Sequence, residues 1–222
     1  DYLKPSLRLS ALGELGVIYV LTHDSIGLGE DGPTHQPIEH LASARAVPGL
    51  NVFRPADANE VAEAYKSSLK NSKRPAVMVL SRQNLPTLDR NNLGSANGVA
   101  KGGYILKEAT NGKPECILIG TGSEIPLCLD AAQTLESHDI QTRVVSLPCW
   151  ELFDEQDSDY REHVLPSKVS ARVACEAASG FGWEKWLGNT GKFIGMNGFG
   201  ASGPAKQLFQ HFGITTEAIV TA

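Results

Sequence analysis

The sequence predicts an α/β fold made of two parallel-sheet units, and three observations lead to this prediction. Short apolar runs alternate with helical stretches along the whole chain, which is typical of parallel strands joined by right-handed crossovers. A polar stretch at 86–100, rich in Asn and Gly and without periodicity, separates two such series. The length of 222 residues, with 41% hydrophobic and 20% charged residues, suits one or two globular domains with a substantial core.

The first unit is predicted over residues 1–88. Apolar runs at 17–21, 51–54 and 76–80 are typical of buried strands. Two helices connect them: one over 38–46 with Pro37 at its first position, and one that Asp57 or Asn59 caps and that runs to about residue 70. Too few strands precede residue 17 for a closed sheet, so we expect this unit to be incomplete.

The second unit is predicted over residues 102–222, after a linker at 89–101. Its predicted strands lie at 103–107, 116–119, 142–147, 173–177 and 193–196. Its predicted helices lie at 125–137, 151–163, 183–187, 204–212 and 215–221, the last capped by Thr215 or Thr216. The three tryptophans of this unit are expected to pack between its layers.

Composition argues against several classes of partner. The net charge of −5 and the pI near 5.7, without a basic cluster, argue against binding to nucleic acid or to an anionic membrane surface. No apolar run approaches the length of a membrane span. We expect no signal peptide, because the chain opens with Asp-Tyr-Leu-Lys-Pro rather than with a basic and then apolar stretch. The four cysteines have neither zinc-site nor CxxC spacing, so we expect buried, reduced thiols. Because the chain lacks an initiator Met, we expect it to be processed or cut from a longer one.

The stretch at 22–37, between a predicted strand and a predicted helix, carries the strongest functional signal. It contains His23, Asp31 and His35 together with three glycines. Loops at the carboxyl ends of strands are where α/β sheets bind ligands. Imidazolium groups suit a phosphate and a carboxylate suits hydroxyl groups, so this loop could bind a phosphorylated, polyhydroxylated small molecule. The alternative is a solvated Gly-rich turn whose polar groups only satisfy the backbone.

Three further motifs are weaker. Arg82 follows the strand at 76–80, where it could hold a phosphate, although a surface salt bridge is an equal alternative. The segment 120–124 resembles a phosphate-binding turn, but we favour a Ser-capped helix after a tight turn. The segment 29–32 is rejected as a diphosphate–metal motif, because its glycines flank Glu-Asp rather than a single Asp.

Several segments, in the same order along the chain, are similar to those of a known enzyme family. The stretch THDSIGLGEDGPTHQP at 22–37 resembles the central signature of transketolases. Five further segments occur in the same order as in that family: RPAD at 54–57, LSRQNL at 80–85, KGGY at 101–104, GTGSE at 120–124 and FGASGPA at 199–205. The resemblance covers essentially the whole chain, and it corresponds to the back half of a pyrimidine-binding domain followed by a transketolase C-terminal domain.

The resemblance implies transfer of a two-carbon ketol group between ketose and aldose phosphates, with thiamine diphosphate and a divalent cation (Mg²⁺ or Ca²⁺). It implies that His23 and Arg82 bind the substrate phosphate and that Asp31 accepts a hydrogen bond from a substrate hydroxyl. It places His35 beside the thiazolium as a catalytic and substrate-binding residue, and Tyr2 in the cofactor's ring pocket. It implies no metal ligand within this chain.

The resemblance also implies a homodimer with active sites between subunits, working in the cytoplasm or the plastid stroma. The family's cofactor-activating glutamate and its diphosphate- and metal-binding domain would precede residue 1. We therefore expect the isolated chain neither to bind the cofactor tightly nor to turn over. Two alternatives stay open. One is another thiamine enzyme, either a 2-oxoacid dehydrogenase β-type subunit or a deoxyxylulose-phosphate synthase. The other is a non-catalytic regulatory or assembly subunit.

Overall fold

The chain forms two sheets with helices packed around them, as the alternating pattern predicts. A computed structural model describes residues 2–222. The first unit contains a three-stranded, fully parallel sheet of order β1-β3-β2. Its elements are α1 (Lys4–Leu12), β1 (Ile18–Thr22), α2 (His40–Arg45), β2 (Asn51–Phe53), α3 (Ala58–Lys70) and β3 (Ala76–Leu80).

The second unit contains a five-stranded sheet of order β4-β6-β5-β7-β8. Its strands are β4 (Tyr104–Lys107), β5 (Cys116–Gly120), β6 (Thr142–Ser146), β7 (Ala171–Ser179) and β8 (Lys192–Met196). Its helices are α4 (Ile125–Ser137), α5 (Trp150–Asp154), α6 (Ser158–Val164), α7 (Glu184–Leu187), α8 (Ala205–His211) and α9 (Thr216–Thr221). The strands β6, β5, β7 and β8 are parallel, whereas β4 runs antiparallel to β6 at the sheet edge. An antiparallel edge strand is common in mixed sheets of this kind.

Two predicted helices differ from the observed ones. The stretch predicted as one helix over 151–163 is two helices, because the Asp157 carboxylate accepts the Tyr160 N–H at 2.7 Å and starts α6 anew. The helix α2 begins three residues after Pro37 rather than at it. There the Ile38 carbonyl accepts the N–H of Ser179 in the second unit at 2.9 Å, so that part of the backbone joins the two units instead of starting a helix.

The predicted linker at 89–101 contains a 3₁₀ helix, Ala96–Lys101, that packs against α3 with Val99 fully buried. Arg90 is paired with Asp57 at 2.9 Å and donates to the Tyr104 hydroxyl at 2.8 Å. A single 3₁₀ helix is too short to produce a periodic pattern, so it could not be predicted from the order of polar and apolar residues. The division of the chain at residues 88 and 102 stays a proposal.

The buried Glu60 carboxylate ties the two units together. It accepts the Ala56 N–H at 2.7 Å, the Tyr104 hydroxyl at 2.7 Å and the Ser146 hydroxyl at 2.6 Å. Burial raises the pKa of Glu60, although these three donors act in the opposite direction. The Asp57 carboxylate caps α3 by accepting the Glu60 N–H at 2.9 Å, as one of the two predicted caps.

The core is continuous between the units, since one apolar cluster contains Phe53 and Met78 of the first sheet and Leu118 of the second. A second cluster surrounds the three tryptophans, which are buried as predicted. All four cysteines are free thiols, three of them buried and Cys116 half-buried. Within residues 2–222, no helix combines the length and the hydropathy needed to cross a membrane.

Candidate functional site

His23 and Arg82 leave neighbouring strands at the same edge of the first sheet. β1 and β3 are adjacent and parallel, and Thr22 lies opposite Leu80 in their register. His23 is therefore one residue beyond this pair and Arg82 two residues beyond it. Carboxyl ends of parallel strands are the usual ligand-binding edge of such a sheet.

The backbone at His23 adopts an unusual conformation. His23 has φ of +69°, which lies in the left-handed region that residues other than glycine seldom adopt. Its ring is half-buried, and its Nδ1 lies 2.8 Å from the Thr22 hydroxyl. Such strain persists only where the surroundings enforce it, and it is concentrated at functional sites.

Asp31 lies in a tight turn between two glycines. The segment starts with a 3₁₀ helix, Ile26–Leu28, that Ser25 caps. Gly29 and Gly32 follow with φ of +91° and +79°, values that glycine adopts without a Cβ penalty. The Gly32 N–H donates to the Gly29 carbonyl at 3.2 Å, so the turn presents the Asp31 side chain to solvent.

His35 closes the same segment. Its N–H donates to the Gly32 carbonyl at 3.1 Å, and its Nδ1 lies 2.9 Å from the Thr34 hydroxyl. Both His23 and His35 thus use Nδ1 for a neighbouring threonine, which leaves Nε2 of each ring to face a ligand. A fixed Nδ1 partner sets the orientation of each ring, whereas a threonine hydroxyl can either donate to Nδ1 or accept from it and so allows both tautomers.

Arg82 and Asp31 are both exposed, and within residues 2–222 neither has an ion-pair or side-chain hydrogen-bond partner. Arg82 therefore has no partner in this part of the chain with which to form the surface salt bridge that was the alternative interpretation. An exposed guanidinium without a partner can hold an anionic group of a ligand, and an exposed carboxylate without a partner can accept a hydrogen bond from a hydroxyl group.

The cavity beside His23 does not bring the four candidate residues together. A cavity of about 220 Å³ beside His23 is lined mainly by apolar side chains, among them Leu21, Val77 and Val79, and by none of the other three candidates. Tyr2 is fully exposed just before α1. Its role as a cofactor contact, like the roles of the four residues, remains a prediction.

A buried charge network directly behind the site was not predicted. Arg54, which is fully buried, donates to the Asp24 carboxylate from Nη2 at 2.7 Å and from Nε at 3.0 Å. Its Nη1 donates to Glu124 and, at 2.9 Å, to the Thr121 hydroxyl of the second unit. Asp24 follows His23 directly, so this network anchors the strained residue next to it.

The segment 120–124 belongs to this network, and its predicted role as a Ser-capped helix start was wrong. It forms a 3₁₀ turn, Gly122–Glu124, whose side chains do not cap α4. The Ser123 hydroxyl instead donates to the Glu124 carboxylate. Gly122 packs so closely on Arg54 that a Cβ there would lie 2.8 Å from the guanidinium carbon. The turn therefore packs on Arg54 of the same chain.

The network continues to Glu176, which Arg45 pairs through two bonds of 2.8 and 2.7 Å. Thr121 and Trp183 donate to the same carboxylate at 2.6 and 3.0 Å. Burial alone would raise the pKa of Glu176, but the charges of Arg45 and Arg54 and the hydrogen bonds from Arg45 and Thr121 outweigh it and hold the pKa at about 2.

The low pKa of Glu176 predicts a pH-dependent contribution to stability. Because the folded value lies below the ordinary 4.5, the contribution is complete above about pH 4.5 and is lost as the pH falls towards 2. We expect Glu176→Gln to lower the unfolding free energy at pH 7 and the difference from the parent to narrow between pH 4.5 and 2. Urea unfolding at a series of pH values measures this, and a difference independent of pH would contradict it.

Residues 2–222 contain no group of three or more His, Cys, Asp or Glu side chains that could hold a metal ion. The acidic residues Glu30 and Asp31 are exposed, and no third side chain joins them to form a metal-binding group within residues 2–222. The residues present therefore do not fit a cation bridging a diphosphate.

Comparisons with known proteins agree along the whole chain. A family model described as "Transketolase, pyrimidine binding domain" matches residues 1–87, and one described as "Transketolase-like TK C-terminal domain" matches residues 102–215. The chain is 57% identical to the chloroplastic transketolase of Solanum tuberosum and 58% identical to transketolase-1, chloroplastic, of Arabidopsis thaliana. Each match covers 100% of this chain and 30% of the relative, so the chain spans about a third of the length of these relatives.

Solved structures agree as well. Transketolase from Leishmania mexicana superposes with a TM-score of 0.90 at 45% identity, over 98% of this chain and 31% of that one. A split-gene transketolase chain, described as an inactive β4 tetramer, is 24% identical with a TM-score of 0.71 and shares the fold, over 92% of this chain and 65% of that one. Both domain models match in order and these two relatives are 57% and 58% identical over the whole chain, so the chain belongs to the transketolase family.

Proposed function

We propose that this chain supplies the substrate-facing part of a transketolase, an enzyme that transfers a two-carbon ketol group between ketose and aldose phosphates. The observation that carries the proposal is that His23 and Arg82 follow neighbouring strands at one edge of the first sheet, while Arg82 and the loop residue Asp31 are exposed and have no side-chain partner within residues 2–222. A sugar phosphate has an anionic end and a row of hydroxyl groups, which these side chains complement.

In this proposal Arg82 and His23 hold the substrate phosphate, since a guanidinium can donate two parallel hydrogen bonds to it and the imidazole Nε2 a third. Asp31 accepts a hydrogen bond from a hydroxyl near the reacting carbons and so discriminates hydroxyl configuration. His35 presents Nε2 to the oxygen at which charge develops and holds or moves a proton there.

The cofactor of the complete enzyme is proposed to be thiamine diphosphate with Mg²⁺ or Ca²⁺, which supplies the carbanion chemistry. Parts of the relatives that this chain does not match would hold both, with Tyr2 at the edge of the ring pocket. We also propose a homodimer with sites between subunits and a location in the plastid stroma, which the relatives named chloroplastic support. A Pichia stipitis relative, 44% identical over 99% of this chain, is described in complex with sedoheptulose 7-phosphate, in line with a sugar-phosphate substrate.

The direct test is a hybrid enzyme in which these 222 residues replace the matching region of the Solanum tuberosum transketolase. We expect the hybrid to transfer a ketol group from a ketose phosphate to an aldose phosphate in the presence of cofactor and Mg²⁺. A hybrid that assembles and binds the cofactor but does not turn over would contradict the proposal. Calorimetry of the chain alone with thiamine diphosphate and Ca²⁺ should detect no tight binding.

Replacing Asp31 with alanine in the hybrid should weaken discrimination between sugars that differ in the configuration of one hydroxyl. Losing a charged hydrogen-bond acceptor costs about 1.5–3 kcal/mol in transition-state binding, or about 10- to 100-fold in kcat/KM for the preferred sugar. Competition between two such sugars measures the ratio. Unchanged sugar preference would exclude this role for Asp31.

A further inference from the structure

The turn that carries Asp31 is covered by a segment of the second unit. Residues 200–203, between β8 and α8, lie directly against residues 26–32. The contact is close: a Cβ on Gly32 would lie 3.3 Å from the Cβ of Ser202, and one on Gly29 would lie 3.4 Å from the Gly203 carbonyl oxygen. Both sides of this contact thus depend on small residues.

Gln36 joins the two segments through one amide group. Its side chain is 4% exposed, and its Nε2 donates to the Gly29 carbonyl and to the Ala201 carbonyl, each at 2.9 Å. The opposite side of the amide is filled by Gly200, where a Cβ would lie only 1.8 Å from Oε1. The amide therefore has one position, set jointly by the two units.

Ser202 provides a second link. Its hydroxyl donates to the Glu30 carbonyl, the peptide group that immediately precedes Asp31. The two carbonyls before Asp31, those of Gly29 and Glu30, are thus both held by donors, while the Asp31 side chain has no partner within the described part of the chain. The backbone before Asp31 is thus held in place, while the Asp31 carboxylate remains available to a ligand.

We propose that Gln36 and Ser202 are positioning residues that set the direction of the Asp31 carboxylate, so that the second unit contributes to sugar selectivity without touching the sugar. The inference rests on the proposed function, because it concerns the selectivity of that site. Within residues 2–222 the side chains of Gln36 and Ser202 have hydrogen bonds to the Asp31 turn and none to Arg82. Selectivity for hydroxyl configuration and preference for phosphate should therefore respond differently.

The test uses the hybrid holoenzyme with Ser202→Ala. Losing one hydrogen bond to the turn should reduce the ratio of kcat/KM between two aldose phosphates that differ in one hydroxyl configuration by about 3- to 10-fold. The ratio between a phosphorylated and an unphosphorylated substrate should stay within twofold of the parent. Gln36→Met should shift the same ratio in the same direction, and Ser202→Thr, which keeps the hydroxyl, should restore it.

Ser137→Ala is the matched control, since this exposed serine also donates to a backbone carbonyl, that of Thr134, at 2.6 Å, but lies at the end of α4. It should leave both ratios unchanged. An active parent with unaltered configuration selectivity in both variants would overturn the inference, as would an equal loss for all substrates. An inactive parent hybrid would instead refute the proposed function itself.

Discussion

Arg82→Ala in the hybrid enzyme is expected to raise KM for phosphorylated sugars by about 10- to 100-fold while kcat falls much less. The side chain is exposed and lacks a partner within residues 2–222, so its removal breaks no intramolecular bond in that part of the chain. A charge-assisted hydrogen bond to phosphate contributes about 1.5–3 kcal/mol, and a bond made equally in ground and transition states appears in KM.

Steady-state kinetics with a phosphorylated and an unphosphorylated ketose measure this effect. We expect the unphosphorylated substrate to be nearly insensitive to the substitution. Arg161→Ala is the control, because Arg161 is another surface arginine and lies in the second unit. Its Nη1 is 3.5 Å from Oδ1 of Asp154. Equal losses for both substrates would show that Arg82 acts on something other than the phosphate.

Arg54→Met should be strongly destabilising, lowering the free energy of unfolding by about 3–5 kcal/mol. It removes the only cation that contacts Asp24 and Glu124 among the described side chains, and both carboxylates are buried. Two buried anions without a counter-charge cannot be hydrated, so they must bind protons or force the fold open.

Urea unfolding at pH 7 measures the loss, with Arg161→Met as the control in a partly exposed pair, where a change below about 1 kcal/mol is expected. Adding Asp24→Asn to Arg54→Met should recover part of the loss, because one of the stranded charges is then removed. A loss below 1 kcal/mol for Arg54→Met would contradict the structural role assigned to this network.

The fold was largely predictable because it follows from local patterns. The alternation of apolar runs and helices indicated two parallel-sheet units, and the caps Asp57 and Thr215 were readable because a cap acts within three residues. The antiparallel direction of β4 was not readable, since a strand pattern carries no direction. The break between α5 and α6 was missed because Asp157 resembles one more charged residue of a surface helix.

The candidate site residues could be proposed from the sequence, whereas the buried network that supports them could not. His23, Asp31 and Arg82 stand out because their residue types, at strand ends and beside glycines, match the chemistry of a sugar phosphate. The partners of Arg54 and Arg45 lie 30 to 131 positions away, and only folding brings them together. The one available signal was an arginine directly after the buried strand β2, where a charge requires a partner.

The most direct test of phosphate binding by His23 and Arg82 is a double-mutant cycle on these two residues in the hybrid enzyme. The measured quantity is the ratio of kcat/KM for a phosphorylated ketose to that for an unphosphorylated one. Each alanine variant should lower this preference at least tenfold, and the double variant should lose less than the product of the two, because both side chains hold one phosphate. A preference unchanged in both single variants would contradict the assignment of this sheet edge as the phosphate site.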